Sequence, residues 1–174
     1  MNQTIWTIGH STRTGEHFIE VLKSFGIEVL ADIRTLPGSD KFPQFNQDRL
    51  SESLSQNGIR YVYIPRLGGL RPSHKDSLNI AWRNKSFRAY ADYMQTDSFR
   101  QGIEELLVLA KENRTAIMCS EILWWRCHRS MVADYLKSIG WTVIHIEDTG
   151  KFKEHPYTSA ASIINGHLDY TQVK

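Results

Sequence analysis

The sequence lacks the features that define several large classes of protein. Its 174 residues include only two cysteines and five prolines. No run approaches the roughly 18 consecutive apolar residues that indicate a membrane-spanning helix. The first residues lack the basic and apolar regions of a secretory signal peptide, so we expect a cytoplasmic protein with no membrane association. Two cysteines in that compartment are expected to remain thiols.

The charge is also close to balanced. Lys and Arg total 21, Asp and Glu total 19, and the formal net charge is +2. This excess is too small to indicate nucleic-acid binding by itself. The length suits one domain, and a composition that is 41% hydrophobic and 23% charged is ordinary for a globular protein. We therefore expect a single domain over residues 1–174.

Short β-rich runs alternate with longer segments of helical periodicity. The pattern predicts strands over residues 5–8, 27–33, 59–65, 115–119 and 141–146, with helices between them. This alternation favours an α/β fold, a three-layer Rossmann-like sandwich around a mostly parallel five-stranded sheet. Residues 147–174 have weak periodicity and are expected to form a C-terminal tail packed on the body. The long irregular stretch over 66–85 is typical of a functional loop.

Polar residues follow several of these strands. They are Gly9-His10-Ser11, Asp32-Ile33-Arg34 and Cys119-Ser120-Glu121. Because ligands of parallel α/β sheets bind beyond the carboxyl ends of the strands, we expect these segments to form one site.

The segment from Met118 to Ser130 carries the sharpest signal. It is predicted to run from a buried strand through a loop into a helix, with Cys127, His128, Arg129 and Ser130 in the first helical turn. Free backbone N–H groups and the helix dipole favour an anion there, and Arg129 would bind it. A thiol at such a position has a lowered pKa and can act as a nucleophile. The alternative for Arg129 and Arg34 is an ion pair with a carboxylate, which would merely tie loops together.

Three groups of residues, in this order, carry a resemblance to a known family. They are Thr7-Ile8-Gly9-His10-Ser11, then Asp32-Ile33-Arg34 with Pro37 and Ser39, then Cys119-x-Glu121 followed by Cys127-His128-Arg129. In these motifs the chain resembles the domain of unknown function 488 family over nearly its whole length. The resemblance supports the positions of the site residues and implies no particular chemistry.

The residues at the strand ends suit an enzyme that binds an anionic substrate, and we expect that substrate to contain a phosphate or a nucleotide. Trp82-Arg83 and Trp124-Trp125-Arg126 alternate rings with cations, a pattern that also suits nucleic acid. The predicted catalytic residues are His10, Glu121, Cys119 and Cys127. The predicted substrate-binding residues are Ser11, Asp32, Arg34, Trp124, His128, Arg129 and Ser130.

Two other classes of function stay open at this stage. One is a zinc- or iron-binding protein that uses His10, Cys119, Cys127 and His128, although this spacing matches none of the tight metal motifs. The other is a non-catalytic domain that binds nucleic acid or another ligand. The sequence assigns no metal ligand firmly and identifies neither a cofactor nor an oligomeric state.

Overall fold

The structure is a computed structural model that describes residues 3–38 and 40–174. Ser39, which belongs to one of the family motifs, lies outside the described residues. The strands are β1 (Thr4–Gly9), β2 (Val29–Asp32), β3 (Arg60–Tyr63), β4 (Thr115–Cys119), β5 (Thr142–Asp148), β6 (Lys151–Glu154), β7 (Ser162–Ile164) and β8 (His167–Asp169). The α-helices are α1 (Gly15–Ser24), α2 (Gln47–Gln56), α3 (Lys85–Tyr93), α4 (Asp97–Glu112) and α5 (Arg129–Ser138). Short 3-10 turns lie at Pro43–Phe45, Pro65–Leu67 and Trp124–Arg126.

The main sheet has the strand order β3-β2-β4-β1-β5-β6. Strands β1 to β5 are parallel, and β6 is antiparallel to β5. Helices α1 and α2 pack their apolar residues into one core, and α3, α4 and α5 contribute to another. The predicted α/β sandwich with a mostly parallel sheet is therefore confirmed.

The sheet differs from the prediction in having a sixth strand. Strand β6 lies within the segment expected to be a tail, and all four of its side chains are exposed. An exposed edge strand shows no apolar alternation, so hydrophobic periodicity did not predict it. Farther on, β7 and β8 form a hairpin, and Ala160, Ala161 and Tyr170 are buried in the core beside α5.

The local sequence explains the elements that frame the site. Strand β4 is buried along its whole length, which is typical of a central strand of a covered parallel sheet. Helix α1 begins where the Thr14 side chain accepts a hydrogen bond from the His17 N–H, and it ends before Gly26, whose φ is 65°.

The topology leaves a crevice beyond the carboxyl ends of β1 and β4. These two strands are neighbours, but β1 leads to α1 on one face of the sheet and β4 leads to α5 on the other. A crevice at such a switch point is where open α/β sheets bind ligands. In the two described ranges, no helix has both the length and the apolar character that crossing a membrane requires.

Candidate functional site

A cavity of about 650 Å³ lies at the carboxyl edge of the sheet. It is bordered by the loops after β1, β2 and β4 and by Gly69 and Leu70 of the long loop after β3. Of the eleven residues predicted for the site, seven line this cavity: His10, Ser11, Arg34, Cys119, Glu121, Cys127 and His128. The fold thus brings together residues that are far apart in the sequence.

Two thiols lie side by side in the cavity wall. Cys119 ends β4 and Cys127 precedes α5, and their Sγ atoms are 2.8 Å apart. Both cysteines are free. The Sγ of Cys119 is also 3.6 Å from the carbonyl oxygen of Glu121, and the backbone N–H of Arg129 donates to the Sγ of Cys127 at 3.2 Å. The pair is therefore held by contacts from the loop on one side and from the start of α5 on the other.

The surroundings of the two thiols favour one negative charge on Cys119. Burial alone raises the pKa of Cys119, but the hydrogen bond from Cys127 and the charge of Arg129 outweigh burial and lower that pKa to about 7. Burial and the neighbouring Cys119 raise the pKa of Cys127. Cys119 is thus the better nucleophile of the pair at neutral pH, because the thiolate is the reactive form.

His128 lies beside Cys127 in a single tautomer. Its Nε2 is 2.9 Å from the carbonyl oxygen of Ile33, which can only accept, so Nε2 carries the hydrogen. Its Nδ1 is then unprotonated and lies 3.8 Å from the Sγ of Cys127. Burial lowers the pKa of His128 to about 4, so the ring is neutral at pH 7. His128 is placed to accept a proton from Cys127.

His10 and Ser11 form the turn that follows β1. The Nδ1 of His10 donates to the carbonyl oxygen of Ser11 at 2.9 Å, and its ring stacks on Phe45 with 4.3 Å between centroids. Burial lowers the pKa of His10 to about 4, which leaves a neutral ring whose Nε2 can accept a proton. Ser11 has a φ of 53°, an uncommon value for a residue with a side chain.

Asp32 and Arg34 form a buried ion pair. The Nε and Nη2 atoms of Arg34 donate to the two carboxylate oxygens of Asp32 at 2.9 and 2.8 Å. Asp32 also accepts from the hydroxyl of Tyr61, and Arg34 donates to the carbonyl oxygen of Phe45. Arg34 lines the cavity, whereas Asp32 lies behind it and holds the guanidinium in place.

Arg129 and Ser130 do not line the cavity, contrary to the expectation that Arg129 would face a ligand. Arg129 is fully buried, and its guanidinium donates to the hydroxyl of Thr7 and to the carbonyl oxygens of Glu121 and Ile122. Its Nε is buried with no hydrogen-bond partner among the described residues. Ser130 donates through its hydroxyl to the carbonyl oxygen of Cys127. The charge of Arg129 acts on Cys119 and lowers the pKa of its thiol, and the same guanidinium fixes the loop after β4.

The first turn of α5 is likewise occupied by the chain itself. The N–H groups of Ser130 and Met131 donate to the carbonyl oxygens of Cys127 and His128 at 3.1 and 2.9 Å. The N–H of Arg129 points to the Cys127 sulfur. The N–H groups that were expected to bind a ligand at this helix end thus donate to Cys127 and His128 instead.

Sequence reasoning missed a buried chain of hydrogen bonds behind the cavity, here termed the relay: Arg129, Thr7, His145, His155 and Asp134. The Thr7 Oγ1 is 2.5 Å from Nδ1 of His145, whose Nε2 is 2.7 Å from Nδ1 of His155. The Nε2 of His155 is 2.8 Å from the Asp134 carboxylate. A guanidinium only donates and a carboxylate only accepts, so with neutral imidazoles every hydrogen bond runs from Arg129 toward Asp134.

Both carboxylate oxygens of Asp134, at the end of the relay, accept hydrogen bonds. Asp134 also accepts hydrogen bonds from the backbone and hydroxyl of Thr158 and from the hydroxyl of Tyr170. Burial, followed by the charges near it, lowers the pKa of His145 to about 2, which keeps this ring neutral. One signal for the relay was present in the sequence, because Thr7 and His145 interrupt apolar strand segments.

Trp124, predicted to contact a substrate, packs on the relay instead of the cavity. Its ring stacks on His145 with 4.5 Å between centroids and 5° between planes, and it meets His155 edge to face. Trp82 packs against Phe87 and Tyr170. These two rings are half-buried and packed on other side chains, while Trp125 is half exposed.

Two glycines allow the loops to approach each other. A Cβ on Gly9 would lie 1.7 Å from the carbonyl oxygen of Glu121, which is possible only if the loop after β4 moves. A Cβ on Gly69 would lie 2.5 Å from Nδ1 of His128. The first glycine therefore sets the distance between β1 and the cysteine loop, and the second brings the long loop onto His128.

The cavity wall carries thiol and imidazole groups, which are common ligands of zinc and iron. No group of three or more His, Cys, Asp or Glu residues in the described part of the chain has a geometry that would hold a metal ion. His128 directs Nδ1 at Cys127, but its Nε2 is bonded to the backbone.

The model of one protein family, described as domain of unknown function DUF488, matches residues 14–136. The chain belongs to this family. The match covers α1 through most of α5 and includes both cysteines, so the thiol pair lies within the DUF488 domain of the chain. No curated protein and no solved structure matches this chain.

Proposed function

We propose that this DUF488 protein is a cytoplasmic enzyme that binds an anionic, phosphate- or nucleotide-containing substrate in the cavity and attacks it with the Cys119 thiolate. The observation that carries the proposal is the pair of thiols in the cavity wall, 2.8 Å apart and beside a buried guanidinium. Reactive cysteines are found in electropositive surroundings of this kind, whereas structural cysteines are inert.

The charges of the cavity support an anionic substrate. Arg34 and Lys41 line it, against the single carboxylate of Glu121 among the described lining residues. The hydroxyl-bearing residues Ser11, Thr12 and Ser120 also line it and can donate to phosphate oxygens. Arg34 is held rigid by Asp32, so a ligand would meet a guanidinium already in position.

The proposed reaction is a transfer or hydrolysis with a covalent intermediate on Cys119. The thiolate forms a bond to the electrophilic atom of the substrate, and the leaving group departs with its bonding electrons. Water or a second substrate then breaks the bond to sulfur and restores the thiolate. His10 is neutral, and its Nε2 has no hydrogen-bond partner among the described residues. It is therefore the residue placed to take the proton from the incoming water, with Glu121 as the other candidate.

The proposal is tested by alkylation of the thiols as a function of pH. Peptide mass spectrometry separates Cys119 from Cys127, and the rate at Cys119 should rise with a midpoint near pH 7 instead of the roughly 8.5 of an ordinary cysteine. Inorganic phosphate, adenosine monophosphate or a short oligonucleotide should slow this labelling and raise the melting temperature.

A matched pair of lysine variants tests the substrate class. Lys41→Gln removes a positive charge from the cavity and should weaken protection by phosphate. Lys111→Gln removes one from the last turn of α4 and should leave protection unchanged. If phosphate protects Cys119 from alkylation but the alkylation has the pH midpoint of an ordinary thiol, the protein is a non-catalytic binding domain. An ordinary midpoint without any protection would overturn the proposal, and a stoichiometric metal in the purified protein would favour a metal site instead.

A further inference from the structure

Cys127 forms no covalent bond in the reaction proposed above, although its sulfur lies 2.8 Å from that of the nucleophile. A covalent group on the Sγ of Cys119 would lie beside a second thiol 2.8 Å away, in a position to attack that sulfur. Disulfide exchange proceeds by this kind of attack on a sulfur through a mixed disulfide. The disposition of the two thiols suits a reaction in which Cys127 resolves an adduct on Cys119.

The elements that carry the two cysteines allow them to bond without a rearrangement of the fold. Cys119 is the last residue of β4, and Cys127 follows a 3-10 turn and has extended backbone, with φ −142° and ψ 166°. The Sγ atoms are already closer than an ordinary contact between non-bonded sulfurs, and a disulfide bond needs about 2.05 Å. The Cys127 side chain is only partly buried and lines the cavity.

His128 supplies the base that the second thiol requires. Its Nε2–H is bonded to the Ile33 carbonyl, so the unprotonated Nδ1 is the nitrogen that lies 3.8 Å from the Cys127 sulfur. Gly69 lets the backbone approach this ring, and Tyr90 meets it edge to face, so the orientation of the imidazole is fixed. Two thiols and a positioned base thus occupy one wall of a cavity large enough for an organic substrate.

We propose that Cys119 and Cys127 are a redox pair that reduces an anionic organic disulfide bound in the cavity and is itself oxidised to an intramolecular disulfide. This goes beyond the proposed function, because Cys127 takes the place of water in resolving the adduct, and it rests on that proposal for the identity of the nucleophile and for the anionic character of the substrate. The two thiols supply two electrons, and the substrate disulfide takes them up and is released as two thiols.

The exchange consumes one substrate disulfide and oxidises one pair of thiols. The Cys119 thiolate attacks one sulfur of the substrate, and the other half leaves as a thiolate. Cys127 then transfers its proton to Nδ1 of His128 and attacks Cys119 Sγ, which breaks the mixed disulfide. The second half of the substrate leaves as a thiolate and takes the proton from His128. The enzyme is returned to the dithiol by an external thiol reductant, which supplies two electrons and two protons.

The test uses 5,5′-dithiobis(2-nitrobenzoate), an anionic aromatic disulfide whose released thiolate is coloured. A redox pair releases two coloured thiolates per chain and retains neither, so the intact mass falls by two hydrogen atoms. Excess dithiothreitol should restore the original mass. Two independent thiols would retain an adduct on each cysteine, and dimers linked by disulfides would show that the bond forms between chains. Either outcome overturns the proposal.

Single-cysteine variants identify the order of attack. Cys127→Ser should stop at one adduct on Cys119, and Cys119→Ser should react much more slowly, with melting curves verifying that both variants fold. Fast adduct formation on Cys127 in the Cys119→Ser variant would contradict the assignment of the nucleophile.

The anionic preference is tested separately with 2,2′-dithiodipyridine, a neutral disulfide. Lys41→Gln should slow the reaction with the anionic reagent and leave that with the neutral reagent unchanged. If both reagents yield the intramolecular disulfide and Lys41→Gln slows neither of them, or slows both equally, the redox pair stands and the anionic-substrate proposal fails. If phosphate protects Cys119 but no intramolecular disulfide forms, the redox proposal fails alone.

Discussion

The Nε2 of His145 lies 2.7 Å from the Nδ1 of His155, with both rings buried. This contact joins β5 to the segment that follows β6, and through it Asp134 is connected to Arg129. The relay therefore fixes the guanidinium that lies beside Cys119, and it does so from residues that have no access to the cavity. The relay therefore stabilises the fold and keeps the positive charge of Arg129 close to the two thiols.

The stability of the protein should depend on the negative charge of Asp134, and the isosteric change to asparagine tests this. Asp134→Asn replaces an acceptor-only group that receives four hydrogen bonds, and an amide nitrogen would face one or more of the donors. We expect the free energy of unfolding to fall by about 1–3 kcal/mol, measured by urea denaturation. Asp97→Asn is the control, because Asp97 is exposed and its ion pair with Arg100 should contribute little. Equal effects of the two changes would contradict the role of the relay.

The neutral histidines predict how stability depends on pH. Burial lowers the pKa of His145 to about 2 and that of His10 and His128 to about 4, from 6.5. In acid the unfolded chain therefore binds protons that the folded chain excludes. These rings therefore leave the free energy of unfolding at its full value above pH 6.5. Below pH 6.5 the free energy of unfolding falls progressively, by up to about 1.4 kcal/mol per pH unit for each ring.

Urea denaturation between pH 7.5 and pH 4.5 checks this pH dependence. His145→Gln removes one titrating ring and should give a shallower decline than the unmodified chain. A free energy of unfolding that stays level from pH 6.5 to pH 4.5 would show that the rings are protonated in the folded protein.

Arg129 should be irreplaceable by another cation. Arg129→Lys keeps the charge but loses the planar group that reaches Thr7, Glu121 and Ile122 together. We expect a loss of about 3–5 kcal/mol in unfolding free energy and a higher pH midpoint for alkylation of Cys119. The exposed Arg126, in the turn before α5, is the matched control, and Arg126→Lys should change neither measurement. A stable Arg129→Lys variant with an unchanged midpoint would refute this role.

Gly9 should tolerate no side chain. The added Cβ of Gly9→Ala would lie 1.7 Å from a backbone oxygen of the cysteine loop, so strand and loop must separate. We expect a loss of about 1–3 kcal/mol or more and slower alkylation of Cys119. Gly15→Ala is the control, because a Cβ there meets only Gln44 at 3.8 Å in the first turn of α1. It should be neutral or stabilise by up to about 1 kcal/mol. Similar melting temperatures for the two variants would exclude a special role for Gly9.

Much of the fold followed from local sequence patterns. The alternation of short apolar runs with helical faces predicted the five parallel strands, because burial on both faces of a sheet demands continuous apolar strands. It also placed His10, Arg34, Cys119 and Cys127 near one another, since the carboxyl ends of parallel strands share an edge. The edge strand β6 was missed because all four of its side chains are exposed and show no apolar alternation.

The sequence by itself determined which chemical groups stand at the strand ends and that they share one edge of a sheet. Tertiary structure decided which way each side chain faces. Arg129 turns away from the cavity to Thr7, and Trp124 turns to His145. Cys127 and His128 face the cavity. The physical reason is that strand and helix periods fix the position of a residue along the chain, whereas the partner of a buried polar group comes from a distant segment. His155 and Asp134 became visible only when β5, α5 and the chain after β6 packed together.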